Sequence, residues 1–512
     1  MVRLLATDLK KRHGASASAV ALACCSRRLA DIALDSLWEE LNSLSRLMQC
    51  LPPDTWKMYD DEFVSTTLSS PLALGTDQSQ YFLRFPSSEE WNRFSSYARR
   101  IRTLYFKSGP EEAMGVSLET LNLLSMQTQT LGQYPLPNLR SFYSEIDSWD
   151  FAPFLRLFLN PGLVNVEIEF AGGYPHLYCP AVISLIPTGD LTHLQLKYMG
   201  SDDRSQGVLC NLLDEASKTL RSVSLGQEPS IATINKLLQL PHLRCLDVEL
   251  PVARISPPGV VFPSLENLDV MYEEPGSWIH VLQNVPLREL NVIFTGSSPA
   301  YLQTLGSSLL DSNVERTLTS LRCRSWAPAP VTEAGIHPLL SFGRLTILDV
   351  TNSCAGEGRC GVQLNNSIIS EIAMALPQLT SLGLGDTPCR TFTSDVTVAS
   401  LVALSTNCVD LDYLRIHFDA KNITTRGTHG NSQAHKFTCK LRTLEVGSQP
   451  LPSNHNDILL ITFTIIHIFP YVETISSEGG GWDQVREGVE MFREASRIAH
   501  PAAGDWPKGT MD

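Results

Sequence analysis

The sequence predicts an α/β solenoid, in which parallel strands line a concave face and helices back them on the convex side. Three observations carry that reading. A phrase Leu-x-x-Leu-x-Leu, often introduced by a proline or a turn, recurs from about residue 136 onward, with copies separated by roughly 22 to 34 residues. Between the copies run segments with apolar residues three and four apart, which is helical spacing. At 512 residues and 43% hydrophobic content, the chain is also too long for one ordinary core unless its architecture repeats.

In chain order, weak copies begin at Leu139, Leu163, Leu191 and Leu220. Clear ones follow in "LPHLRCLDVEL" at Leu240–Leu250, "FPSLENLDV" at Phe262–Val270, "VPLRELNVIF" at Val285–Phe294, "LTSLRC" at Leu318–Cys323 and "LTILDV" at Leu345–Val350. "LPQLTSLGLG" at Leu376–Gly385, "LDYLRI" at Leu411–Ile416 and "LRTLEV" at Leu441–Val446 continue the series, and a decayed copy sits at Val472. The end of each phrase alternates, so that two apolar side chains face a core and their neighbours face away. "SIATINKLLQL", "SWIHVLQNV", "SIISEIAMAL" and "TVASLVALSTNC" read as intervening helices. "ILLITFTIIHIF" at Ile458–Phe469 reads as a buried helix, too short to span a bilayer.

One such unit alone leaves an apolar face in water. Stacking buries these faces in a continuous core and bends the array into a horseshoe, the leucine-rich-repeat architecture, expected here over residues 131–478. "NITTRGTHGNSQAHKF" at Asn422–Phe437 has no periodicity and reads as a loop between repeats. In the terminal segment 479–512, "DQVREGVEMFREASRIA" sets Val485, Val489 and Phe492 on one side, as a cap on the last repeat needs. The closing "HPAAGDWPKGTMD" is expected to be disordered.

Ahead of the repeats the chain reads differently, with a short helical module in residues 1–50 and a region leading into the solenoid in 51–130. "LACCSRRLADIALDSLWEEL" at Leu22–Leu41 resembles the second half of an F-box: a Leu-Ala-Cys phrase, the basic pair Arg27-Arg28, an Ala-Leu-Asp turn and a closing Trp38. "LSRLMQCLPPDTW" at Leu44–Trp56 and "PSSEEWNRFSSYARRIRTLYF" at Pro86–Phe106 resemble the next parts of fungal, basidiomycete-type F-box proteins with leucine-rich repeats. "ALSTNCVDLDYLRI" resembles their irregular repeats, with Cys408 where a helix ends.

The resemblance covers nearly the whole chain. It implies a substrate-recognition subunit of a Skp-cullin-F-box type ubiquitin ligase, whose F-box docks on a Skp-type adaptor held by a cullin core while the repeats hold a protein substrate. It also implies Leu22, Cys25, Leu29, Leu34, Leu37 and Trp38 as adaptor-binding side chains. An F-box normally opens with a Leu-Pro pair and an apolar first helix. Here "VRLLATDLKKRHGASASA" places Lys10-Lys11-Arg12-His13 there instead, so that first helix reads as incomplete. The alternative expectation is a helical pair that caps the solenoid of a plain, non-catalytic interaction scaffold.

Charge and motifs exclude other classes. A formal net charge of −14 speaks against nucleic acid or an anionic membrane surface as partner. The 12 cysteines are scattered singly apart from Cys24-Cys25, and "MVRLLATDLKKRHG" lacks a signal-peptide core; both point to the cytoplasm or nucleus. "GEGRCG" at Gly356–Gly361 matches Gly-x-Gly-x-x-Gly, but its strand belongs to a repeat and no convincing acid follows about twenty positions on, so no cofactor is expected. Cys354 and Cys360 lack a second ligand pair, so no metal is expected either. His-Glu-x-x-His, Gly-x-Ser-x-Gly and Gly-Lys-Ser phrases do not occur, which leaves an enzyme no residues to use. The glycosylation triplets at Asn365 and Asn422 read as chance.

The candidate substrate-binding residues are those that alternate outward on the strands. They are Asp247, Asp269, Asn291, Arg322, Asp349, Tyr413, Arg415 and Glu445. Asp247, Asp269 and Asp349 suggest an acidic centre suited to a basic protein surface, with Arg322, Arg324 and Arg415 as basic spots toward the carboxyl half.

Overall fold

The leucine phrases fold into parallel strands joined by helices and tight turns. The computed structural model describes residues 27–58, 80–107, 117–146, 150–171, 175–199, 202–250, 262–273, 278–296, 298–326, 330–352, 362–385, 394–420, 438–447, 451, 454–477 and 482–499. Leu22, Cys24, Cys25, residues 10–13, the glycine loop 356–361 with Cys354 and Cys360, the segment 422–437 with Asn422, and the residues after 499 lie outside these.

The chain divides into two compact units, Met1–Glu249 and Leu250–Asp512. In the first, besides a small antiparallel pair of Trp56–Met58 with Gln80–Phe82, the strands of the parallel sheet are β1 (Glu40–Leu41), β2 (Thr103–Lys107), β3 (Ser141–Ile146), β4 (Asn165–Phe170), β5 (His193–Lys197), β6 (Ser222–Leu225) and β7 (Cys245–Glu249). Each pairs in parallel with the next in chain order. In the second unit, besides a two-stranded pairing of Val331–Thr332 with Val362–Gln363, the strands of the main sheet are β8 (Asn267–Tyr272), β9 (Glu289–Phe294), β10 (Ser320–Ser325), β11 (Ile347–Asn352), β12 (Ser381–Leu384), β13 (Tyr413–Ile416), β14 (Thr443–Val446) and β15 (Thr474–Ser477). These too pair in parallel, neighbour with neighbour. Each unit is thus an α/β leucine-rich-repeat array.

Within each unit the first leucines of the phrases form a buried column: Leu139, Leu163, Leu191, Leu220 and Leu243 in the first, and Leu265, Leu287, Leu318, Leu345, Leu379, Leu411 and Leu441 in the second, each at 0% exposure. Burying one such side chain contributes about 1.5–3 kcal/mol. The residue before each strand ties consecutive copies together, its carbonyl accepting two amide protons: Arg102 O from Arg140 N and Ser141 N, then Arg288 O from Thr319 N and Ser320 N.

The array begins earlier than residue 131. Strands β1 and β2 lie within the expected helical module and lead-in region, and "IRTLYF" supplies a repeat phrase with Ile101, Leu104 and Phe106 buried. Isoleucine and phenylalanine fill the leucine positions there, which hides the copy from a leucine pattern.

Helices α1 (Arg27–Trp38), α2 (Leu44–Met48), α3 (Ser88–Ala98), α4 (Leu118–Leu131), α5 (Cys179–Ile183), α6 (Asp203–Glu215) and α7 (Ile231–Leu238) belong to the first unit. The second holds α8 (Tyr301–Asp311), α9 (Glu333–Ile336), α10 (Asn366–Ala375), α11 (Val398–Asn407), α12 (His455–Ile468) and α13 (Asp483–Ala499). Side chains at Ser43, Ser87, Ser117, Asp202, Ser230, Thr332, Asn365, Thr397 and Asn454 cap the first turns of nine of them, satisfying amides the helix leaves open. "SWIHVLQNV" departs from expectation: it forms only a 3-10 turn over Ile279–Leu282, because Asn284 turns the chain with φ 62 two residues later. Helix α13 buries Val485 and Val489, while Phe492 is half-buried. No helix among the described residues is long and apolar enough to cross a membrane.

Candidate functional site

In-register parallel pairing stacks the same outward position of every strand into a row. In the second unit that row reads Asp269, Asn291, Arg322, Asp349, Gly383, Arg415, Glu445 and Ser476. All the expected residues of this unit except Tyr413 fall in it, and Tyr413 stands in the adjacent row, donating its hydroxyl to Glu445 Oε2 at 2.6 Å. Burial and that bond hold the Tyr413 phenol above its usual range. Asp247 belongs to the first unit.

The row is not the acidic centre the aspartates suggest. Arg415 reaches across Gly383 to Asp349, and Nη2 meets Oδ1 there as a hydrogen-bonded ion pair. Glycine is what lets them meet: a Cβ on Gly383 would lie 2.9 Å from Arg415 Nη2 and closer still to Asp349 Oδ1. Asp349 is therefore neutralised by its own sheet. Arg322 and Arg324 remain exposed side by side on β10, and neither forms an ion pair among the described residues.

The denser acidic surface lies in the first unit, where the leucine copies are weak. Its outward side chains include Glu40, Glu145, Glu167, Glu169, Asp247 and Glu249. Lys197 and His193 are the only basic groups among the described side chains of these strands. Lys197 Nζ sits 3.3 Å from Glu167 Oε1 and 3.7 Å from Glu169 Oε2. Burial, and then Arg221, pushes the His193 pKa down. Burial and then Glu228 raise Glu249. Asp247 accepts a hydrogen bond from Ser224 Oγ at 2.7 Å. The alternation in "NVEIEF" is the signal that marks Glu167 and Glu169 as outward-facing.

Beside these carboxylates, Tyr105 and Tyr143 stack with ring centroids 4.7 Å apart and planes 12° from parallel. An open depression of ≈ 260 Å³ begins at Tyr143 and runs over Glu167, Asn165, His193 and Gln195. Its floor follows the register, with Tyr143, Glu167, Gln195 and Ser224 in one row.

The residues expected to contact an adaptor fall on α1 where they are described. Leu29, Leu34, Leu37 and Trp38 are half-buried, and Ala33 is fully buried. Trp38 packs its ring 5.0 Å from that of Tyr97 on α3, and Arg100 fastens the same helix through Asp31, at 2.9 Å, and Asp35. Leu22 and Cys25 lie outside the described residues.

The described thiols are structural in placement. Cys408 points its sulfur at the carbonyls of Ala373 and Leu376, and Cys439 at those of Cys408 and Leu411, each bonding back one repeat. Burial pushes the Cys408 thiol up to about 12 and the Cys439 thiol to about 11, which disfavours the nucleophilic thiolate. Among the described residues no group of three or more His, Cys, Asp or Glu side chains could hold a metal ion.

No family model matches the chain, and no curated protein matches it. Among solved structures, the chain is similar to an internalin (inlF) from Listeria monocytogenes, at 14% identity and a TM-score of 0.29, over 56% of this chain and 76% of that one. The fold assignment rests on the strand register and the buried leucine column.

Proposed function

We propose that the chain is a protein-interaction scaffold that serves as the substrate-recognition subunit of a Skp-cullin-F-box type ubiquitin ligase in the cytoplasm or nucleus. The observation that carries the scaffold reading is the outward face of the strands: polar and charged side chains stand in register, row upon row. Such a surface recognises another protein by many dispersed contacts. The ligase role is supported by the F-box-like phrase Leu22–Leu41, whose described part forms α1. In that role the chain performs no chemistry. It raises the effective concentration of a substrate lysine near a charged conjugating enzyme.

A second reading is favoured by Trp38 and Arg100, which tie α1 to its own chain. In it the helix only covers the start of the first array. A pull-down of the tagged chain with a Skp-type adaptor separates the two. The ligase reading expects capture that is lost in the Leu29→Asp, Leu34→Asp double variant while circular dichroism stays unchanged. A folded parent chain that captures no adaptor leaves the plain scaffold.

A further inference from the structure

The first unit's outward face carries chemistry that the recognition of a generic surface does not need. Two stacked tyrosines present a π-rich wall, and Tyr105 is 39% exposed at its edge. Along the same row Glu167 follows Tyr143, with the depression opening between them and continuing over Gln195. The site already holds one cation of its own: Lys197 lies within reach of Glu167 and Glu169, an ammonium between two carboxylates that leaves a net charge of −1. Burial and Arg221 disfavour a positive charge on the neighbouring His193.

From this geometry we infer that the face of β2 to β6 seats a basic segment of a partner protein, with a lysine or arginine side chain entering the depression between the ring of Tyr143 and the carboxylate of Glu167. The inference rests on the scaffold reading and names the chemistry of the partner. Each contribution has a physical source. An aromatic face attracts a cation through its quadrupole. A carboxylate gives a guanidinium or ammonium a charge-assisted hydrogen bond. Gln195 presents an amide suited to a peptide group beside that residue. Across β1 to β7 the carboxylates outnumber the lysines in the strand sequences, an excess that speeds encounter with a positive segment and rejects an acidic one. The second unit's face differs, since its Asp349 is answered by Arg415 and its Arg322 and Arg324 stand exposed.

The test uses the full chain and a fluorescein-labelled peptide of alternating arginine and serine, followed by fluorescence anisotropy, with a glutamate-serine peptide as control. The arginine peptide is expected to bind, the glutamate peptide not to, and Tyr143→Ala or Glu167→Gln to weaken binding by about tenfold each. Arg322→Ala, in the other unit, is expected to change nothing. Should Tyr143→Ala fail to fold, Glu167→Gln replaces only one atom at a half-exposed position and keeps the comparison. No binding at about 1 mM chain, or binding that both variants retain, overturns the inference. Adaptor capture is read separately, so a chain that captures the adaptor but ignores the peptide loses this site and keeps its ligase role.

Discussion

Gly383 decides how the second unit's outward face is charged. Every other position of its row carries a side chain, and glycine weakens a strand interior, so its presence needs a reason. The reason is space: Arg415 and Asp349 stand two strands apart and join over it. Their side chains are 16% and 30% exposed, so the pair is partly shielded from solvent. Gly383→Ala would ordinarily stabilise by about 0.4–1 kcal/mol, through the unfolded chain alone. Here the added methyl displaces the pair, and a net loss of about 1–2 kcal/mol is expected from urea unfolding. Repeating Gly383→Ala in an Asp349→Asn, Arg415→Gln background should abolish that loss. An alanine that stabilises the otherwise unchanged chain would mean the pair does not need the gap.

At the scale of the element, one device recurs in both units: a polar side chain in one helix holds the first turn of the next. In the first unit Gln206 on α6 accepts from Ser230 N at 3.0 Å and from Thr233 Oγ1 at 2.7 Å, at the start of α7. In the second, Asn366 on α10 accepts from Thr397 N at 2.8 Å and from Ser400 Oγ at 2.6 Å, at the start of α11. Stacking alone leaves helices free to slide along their apolar stripes; a directional bond to an orphan amide fixes their register. Asn366→Ala leaves those donors short of a partner in a half-buried setting, and is expected to cost about 1–3 kcal/mol. Hydrogen exchange should show it first at the amide of Thr397, before the strands of the same unit lose protection. Unchanged exchange there would assign the capping to Thr397's own side chain instead.

Across the whole molecule, what could be read from the sequence follows from what repeats. The leucine columns of the two units, Leu139 to Leu243 and Leu265 to Leu441, were legible because each copy must fill the same buried slot, and the outward row was legible because alternation fixes which residues leave the core. Strand β2 was not, since Ile101 and Phe106 fill that slot with other residues. Nor was the joining of Arg415 to Asp349, which depends on which repeats become neighbours and on the empty space at Gly383. The first unit's acidic face is not legible in the same way, because its weak leucine copies leave the strand register, and with it the outward positions, undefined. The same repetition governs how damage spreads. Within the second unit each strand is paired only with the strands beside it, so a lesion at the last repeat should weaken its neighbours progressively. Val485 on α13 is fully buried, and Trp482 beside it meets Phe418 with rings 5.7 Å apart. Val485→Asp places an unpaired carboxylate in that contact and is expected to cost about 3 kcal/mol or more. Hydrogen-exchange protection should then fall most at Thr474–Ser477, less at Thr443–Val446 and least at Asn267–Tyr272. An equal loss along the unit would instead show that its repeats melt as one cooperative block, with the terminal helix stabilising every repeat and not only the last.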